Sequence, residues 1–139
     1  LLWSCDLNLV RGEDSWVRAL WAARPFAWQP YRQADAAHEA KRRAYIDWQR
    51  DTLRSGQPEA RRPPGAAGRA GEHGDADEPL TRLEAFAQAW SEGAPIAARW
   101  QALAPCLPRL AEPFERLARH AGSRPDLARA LVEFCRGRL

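Results

Sequence analysis

The chain contains no methionine, a single lysine (Lys41) among its 21 basic residues, and only three cysteines in 139 residues. Without a methionine, Leu1 is not an initiator as written, and the residues that open the chain read as the interior of a strand. The expectation is a fragment whose N-terminal partner lies outside this sequence. Cys5, Cys106 and Cys135 form an odd, widely spaced set in which no pair has zinc-ligand or redox spacing, and this argues against a disulfide framework. His38, His73 and His120 share no metal-ligand spacing either, so no metal is expected. No apolar run approaches the ~18 residues that span a bilayer, and nothing resembles a signal peptide. The reading is therefore cytoplasmic, with no membrane partner. The formal net charge is only +3. Lys41-Arg42-Arg43 and Arg61-Arg62 have Glu39, Asp47 and Glu59 close by, which reads as a solvated helix face and not as a nucleic-acid patch.

What is present fits one domain with a core of its own. The length is too short for two nucleotide-binding halves at about 100–150 residues each. Leu1 to Val10 reads as a strand, Asp14 to about Ala23 as a helix, and Phe26-Ala27-Trp28 as a second short strand after the stop at Arg24-Pro25. From Ala34 to about Leu53 neither proline nor glycine interrupts the chain, and Ala37, Ala40, Ala44 and Trp48 recur at helical spacing. Residues 55–78 change character, with Pro58, Pro63, Pro64 and several glycines among almost no large apolar side chains, so a disordered loop is expected. Pro79 then opens a helix with Leu80, Leu83, Phe86, Ala87 and Trp90 on one face. Gly93-Ala94-Pro95 closes it. Further helices are expected around Ile96, Trp100 and Leu103, from Pro108 or Pro113 to His120, and from Ser123 onward with Leu127, Leu131 and Phe134. The seven tryptophans read mainly as core, since large aromatics dominate packing.

The most informative feature is Arg11-Gly12-Glu13-Asp14-Ser15, set between the apolar run Cys5-Asp6-Leu7-Asn8-Leu9-Val10 and the helical run Trp16 to Ala22. A strand that turns through glycine into a helix leaves unpaired backbone N–H groups facing one point, and the helix dipole favours an anion there. Gly12 lets the backbone approach a ligand, and Arg11 offers a forked, permanently charged donor. A phosphate would repel Glu13, so that carboxylate suits sugar hydroxyls, as acidic residues do in dinucleotide folds. Ser15 lacks the strained elbow of hydrolases and reads as a helix-start residue, as Asp14 does.

The stretch from Trp3 to Ala19, continuing through Leu20 to Gln29, Tyr31, Gln33 and the helix around Ala37-His38-Glu39-Ala40-Lys41, closely resembles the C-terminal half of the EarP family. These are bacterial protein-arginine rhamnosyltransferases that modify elongation factor P. The likeness is fainter near Trp90, Trp100 and Pro125 to Phe134. The resemblance implies an α/β fold: the helix-rich C-terminal Rossmann-like half of a two-domain GT-B-type glycosyltransferase. Residues 1–54 would form the nucleotide-sugar-binding part and 79–139 the C-terminal helices of the same domain. It further implies an inverting transfer of L-rhamnose from dTDP-β-L-rhamnose to an arginine of elongation factor P, with no cofactor or metal. The donor would be held by Arg11 at the diphosphate, by Gly12, Asp14 and Ser15 through backbone N–H groups, by Glu13 at the ribose, and by Tyr31 and Gln33. Where the family more usually reads Ile-Tyr-Pro-Gln, this chain has Pro30-Tyr31-Arg32-Gln33. The general base would belong to the absent N-terminal half, so the chain alone is expected to be inactive. The alternatives are a non-catalytic remnant, a helical module binding a protein or nucleic acid, or a transferase of the same fold with another donor and acceptor.

Overall fold

A computed structural model describes residues 1–34, 36–55, 78–124, 132 and 134–136. The expected loop, apart from its helical end residues Ser55 and Glu78, lies outside the described residues. So does most of the expected last helix, including Leu127 and Leu131.

The chain opens with a short 3₁₀ turn at Leu2–Ser4, followed by β1 (Asn8–Arg11), α1 (Gly12–Trp21) and β2 (Phe26–Gln29). The first strand is thus much shorter than the apolar run from Leu1 to Val10 implied. Asn8 explains this: its side-chain amide donates to the Leu2 carbonyl at 3.0 Å, drawing the preceding residues into a turn, while its backbone N–H donates to Pro25 at 2.9 Å and starts the ladder. β1 and β2 pair in parallel with Asn8 opposite Phe26 and Arg11 opposite Gln29. Together with α1 they make one β-α-β unit. Phe26, Ala27 and Trp28 are buried in succession, as befits a parallel strand covered on both faces.

Further helices follow: α2 (Ala37–Ser55), α3 (Glu78–Glu92), α4 (Ala97–Leu103) and α5 (Leu107–Ser123), with a 3₁₀ turn at Ala104–Cys106. α5 carries Leu110, Phe114 and Leu117 along one face, all fully buried. With Phe26 and Leu103 they form the centre of the core, each such side chain contributing about 1.5–3 kcal/mol of transfer free energy. Pro113 sits inside α5 without ending it. It cannot donate to the carbonyl of Arg109, so α5 continues with that one rung missing.

α2 turns a different face inward from the one its alanines marked. Ala40 and Ala44 are exposed, whereas Gln49, Thr52 and Leu53 are buried and Tyr45 and Trp48 pack against the core. The stripe is rotated by one residue because two aromatic rings outweigh a row of methyl groups in the area they remove from water. Three tryptophans also depart from the core assignment: Trp3 is 64% exposed, Trp21 54% and Trp100 42%. Trp28 is buried, and Trp16, Trp48 and Trp90 pack at the edge of the core. All three cysteines are free thiols, with only Cys106 buried. No helix among the described residues is long and apolar enough to cross a membrane.

Candidate functional site

The strand ends place the site. Arg11 closes β1 in an extended conformation (φ −118°, ψ 143°) and is followed by Gly12 at φ +71°, which only glycine adopts cheaply. The ring of Tyr31 lies directly over Gly12: a Cβ there would stand 2.3 Å from Tyr31 Cε2. The Gly12 carbonyl is held from the other side by the buried indole N–H of Trp28 at 2.9 Å. The turn is therefore clamped between two aromatic side chains contributed by β2 and the segment after it.

Beyond the strand ends lies an open cleft of ≈ 260 Å³ whose walls include Arg11, Gln29, Tyr31, Arg32, Trp90 and Ser91. Its far wall is the C-terminal turn of α3. That helix ends in a Schellman cap, with Gly93 at φ +72°, its N–H on the Trp90 carbonyl at 3.3 Å and the Ala94 N–H on the Ala89 carbonyl at 2.9 Å. The Ser91 carbonyl takes no part in that cap. It accepts instead from the Gln29 side-chain amide at 3.2 Å and from the Arg32 guanidinium at 3.3 Å. A helix C-terminus carries partial negative charge, which suits both donors.

Arg11 is exposed, and its guanidinium carbon stands 5.9 Å from the centre of the Trp90 ring. Such a contact is worth roughly 0.5–1 kcal/mol at an exposed site. Among the described residues no carboxylate pairs with Arg11, so its charge faces the cleft unneutralised. A second cleft of ≈ 320 Å³ shares Gln29, Pro30, Arg32 and Ser91 with the first and adds Gln33, His38 and Arg42. His38 is not idle surface: its Nδ1 accepts the Gln33 backbone N–H at 3.3 Å and shapes the entry to α2.

The sequence-predicted residues are thus only partly brought together. Arg11 and Tyr31 share one cleft, with Gly12 directly beneath the tyrosine ring, and Gln33 lines the adjoining cleft. Glu13, Asp14 and Ser15 line neither. The Glu13 carboxylate accepts from Lys41 Nζ at 2.8 Å. That bond, helped by Glu13's own backbone N–H, holds its carboxyl below the ordinary glutamate value. Asp14 pairs with Arg18 at 3.0 Å on the exposed face of α1. Among the described residues no group of three or more His, Cys, Asp or Glu side chains is placed to hold a metal ion.

Sequence reasoning missed Trp90, Ser91, Arg32 and Lys41 as parts of this region. Trp90 carried a signal in its apolar helical face, but that signal pointed to core. Lys41 had one too, as the only lysine of an arginine-rich chain.

In class, then, this is a helix-rich α/β protein whose parallel strands end at an open, arginine-bearing cleft. Residues 1–64 match the family model described as elongation-factor P (EF-P) rhamnosyltransferase EarP. A protein-arginine rhamnosyltransferase of Pseudomonas aeruginosa is 40% identical over 134 residues, covering 96% of this chain and 30% of that protein. One from Pseudomonas putida is 36% identical over 139 residues, covering 100% of this chain and 31% of its own length. A solved structure described as the structural basis for EarP-mediated arginine glycosylation of translation elongation factor EF-P superposes with a TM-score of 0.65 at 33% identity. It covers 99% of this chain, which accounts for 36% of that one. The chain is similar to the EarP protein-arginine rhamnosyltransferases in sequence and in fold, and it spans about three-tenths of the length of the curated relatives it matches.

Proposed function

We propose that the chain is the donor-binding, C-terminal part of an inverting GT-B-type glycosyltransferase that moves L-rhamnose from dTDP-β-L-rhamnose to an arginine of elongation factor P. The observation that carries this reading is the unneutralised Arg11 guanidinium at the open end of β1, beside a glycine turn that begins a helix. A leaving nucleoside diphosphate gains negative charge as the glycosidic bond breaks, and a preorganised cation with helix-start N–H groups is suited to receive it. In the transfer, an arginine nitrogen of the acceptor attacks the anomeric carbon. The bond from that carbon to the diphosphate oxygen breaks, its electron pair leaves with dTDP, and the nitrogen's proton passes to a carboxylate. Guanidinium has a pKa above ~12 and a delocalised lone pair, so that general base is essential. It is assigned to a preceding half of the enzyme.

Glu13, kept ionised by Lys41, is assigned to a ribose hydroxyl, and Tyr31 and Gln33 to the donor's flank. Arg11 supplies the positive charge that other transferases draw from a metal ion, so no cofactor is invoked. The reaction belongs in the cytoplasm, with the translation factor as its partner. The test is calorimetric titration of dTDP and dTDP-rhamnose into the complete enzyme. Arg11→Ala is expected to lower turnover by about 10²–10³ and, like Glu13→Ala, to weaken donor binding while the melting temperature holds. Donor affinity unchanged in both variants would remove the site assignment.

A further inference from the structure

The arginine of the cleft is held by a device that the donor-binding reading does not itself require. Arg11 and Gln29 face each other across the parallel strands. Gln29 reaches 62 positions along the chain to the Ser91 carbonyl, and the residue before Ser91 is Trp90, whose ring stands 5.9 Å from the Arg11 guanidinium. The four residues close a ring: strand end to strand end, strand end to helix end, and helix end back to the guanidinium. The Gly93 N–H on the Trp90 carbonyl fixes the last turn of α3 in place.

We propose that Trp90 is a positioning residue for Arg11, restricting the guanidinium to the cleft mouth without cancelling its charge. Resting on the donor-site reading above, this assigns Trp90 to the recognition of a nucleoside diphosphate through its phosphates, and not through its base. An unrestrained arginine samples many rotamers, and ordering it at the moment of binding costs affinity. A carboxylate partner would order it too, but would also neutralise it and repel the incoming anion. An aromatic face restrains the cation and leaves its full charge for the ligand. Trp90 suits the task because it lies half-buried at the edge of the core, one part of its ring packed inward and another bordering the cleft.

A tryptophan that merely fills space makes different demands, and a double-mutant cycle separates the two. In the complete enzyme, dTDP and thymidine are titrated into the parent, Trp90→Leu, Trp90→Phe, Arg11→Ala and the Arg11→Ala/Trp90→Leu pair, with melting temperatures recorded for each. Trp90→Leu is expected to weaken dTDP roughly 5- to 30-fold, the value of a ring–cation contact between exposed and desolvated limits. Thymidine affinity should stay as in the parent, Trp90→Phe should recover most of the loss, and Trp90→Leu should add nothing once Arg11 is alanine. The same loss of dTDP affinity with and without Arg11, or an equal loss for thymidine, would reduce Trp90 to packing and overturn the inference. A dTDP affinity that depends on Arg11 but ignores Trp90 would overturn this inference alone. An affinity indifferent to Arg11 would take the donor-site reading down with it. Should Trp90→Leu fail to fold, the Trp90→Phe and Arg11→Ala/Trp90→Phe variants carry the same cycle on a smaller scale.

Discussion

The two sides of the molecule treat charge in opposite ways. On the helical side, Arg50 of α2 makes a two-pronged pair with Glu84 of α3, Arg82 and Arg109 both reach Glu78, and Arg116 and Arg119 pair with Glu112 and Glu115 one turn back. In the cleft, by contrast, Arg11 faces an aromatic ring and Arg32 a backbone carbonyl, and neither pairs with a carboxylate among the described residues. Surface ion pairs contribute little each, with a median of about 0–1 kcal/mol, so the difference is chiefly one of potential. The helices carry these paired charges, while two cations of the cleft, Arg11 and Arg32, have no carboxylate partner among the described residues. Interior polar groups do not follow this division. The Trp28 indole donates to the Gly12 carbonyl, while among the described residues the Trp16 indole and Ser91 hydroxyl on one side, and the Tyr45 hydroxyl and Gln49 amide nitrogen on the other, are buried without partners.

This contrast can be broken most severely at Gly12. Gly12→Ala forces a side chain into a left-handed conformation, costing about 1–2 kcal/mol, and pushes the new methyl into the Tyr31 ring. The expected outcome is a lower melting temperature together with at least a tenfold loss of dTDP affinity in the complete enzyme. Thermal unfolding and calorimetry check the two halves of that statement separately.

Tyr45 tests the helical side with a smaller effect. Its ring is packed among Trp16, Phe26, Trp28 and Trp48, with centroid distances of 5.6, 5.6, 5.7 and 6.1 Å. Burial pushes its phenol well above the ordinary tyrosine value. The neutral form is favoured in the folded state, so the folded protein binds the proton more tightly than the unfolded chain. That contribution is complete below the unfolded pKa of about 10 and declines as pH rises beyond it. Tyr45→Phe should flatten the alkaline fall in stability. It should also raise stability near neutral pH by about 1 kcal/mol, because a buried hydroxyl without a partner is removed. Denaturant melts at pH 7 and above pH 10 measure both. A variant less stable than the parent at both pH values would show that the hydroxyl is satisfied after all.

Lys41 joins the two sides and gives the smallest expected change. Lys41→Met should return the Glu13 carboxyl towards its ordinary titration range, readable by NMR, and weaken dTDP binding only a few-fold, since the pair is largely exposed. A loss as large as that of Arg11→Ala would mean that Lys41 itself meets the diphosphate.

The sequence made the junction legible because its signal is local. A strand, a glycine and a helix start follow one another within a few residues, and the resemblance to EarP is concentrated there. β2, α1 and the extents of α2 and α3 were legible for the same reason, each bounded by proline or glycine. Burial along α2 was not. Its periodicity could be read from Ala37, Ala40, Ala44 and Trp48 or from Tyr45, Gln49 and Thr52, and only the shape of the surrounding core chooses between two stripes one residue apart. The cleft's far wall was illegible for a stronger reason. Trp90 and Ser91 meet Arg11 and Gln29 across more than sixty residues, and nothing in a helix-end sequence announces which strand it will close upon. Glu13 is the intermediate case: its proximity to Arg11 in sequence implied one shared pocket, yet the turn of the helix carries its carboxylate to α2.

The contact between Gly12 and Tyr31 has a consequence for inheritance. The aromatic ring occupies the volume that any larger residue at position 12 would need, so the two positions cannot drift independently. Shrinking residue 31 would clear that volume, yet a side chain at position 12 would still sit at φ +71°, in the left-handed region that disfavours every residue but glycine. Glycine is therefore held there twice over, by the backbone and by the ring.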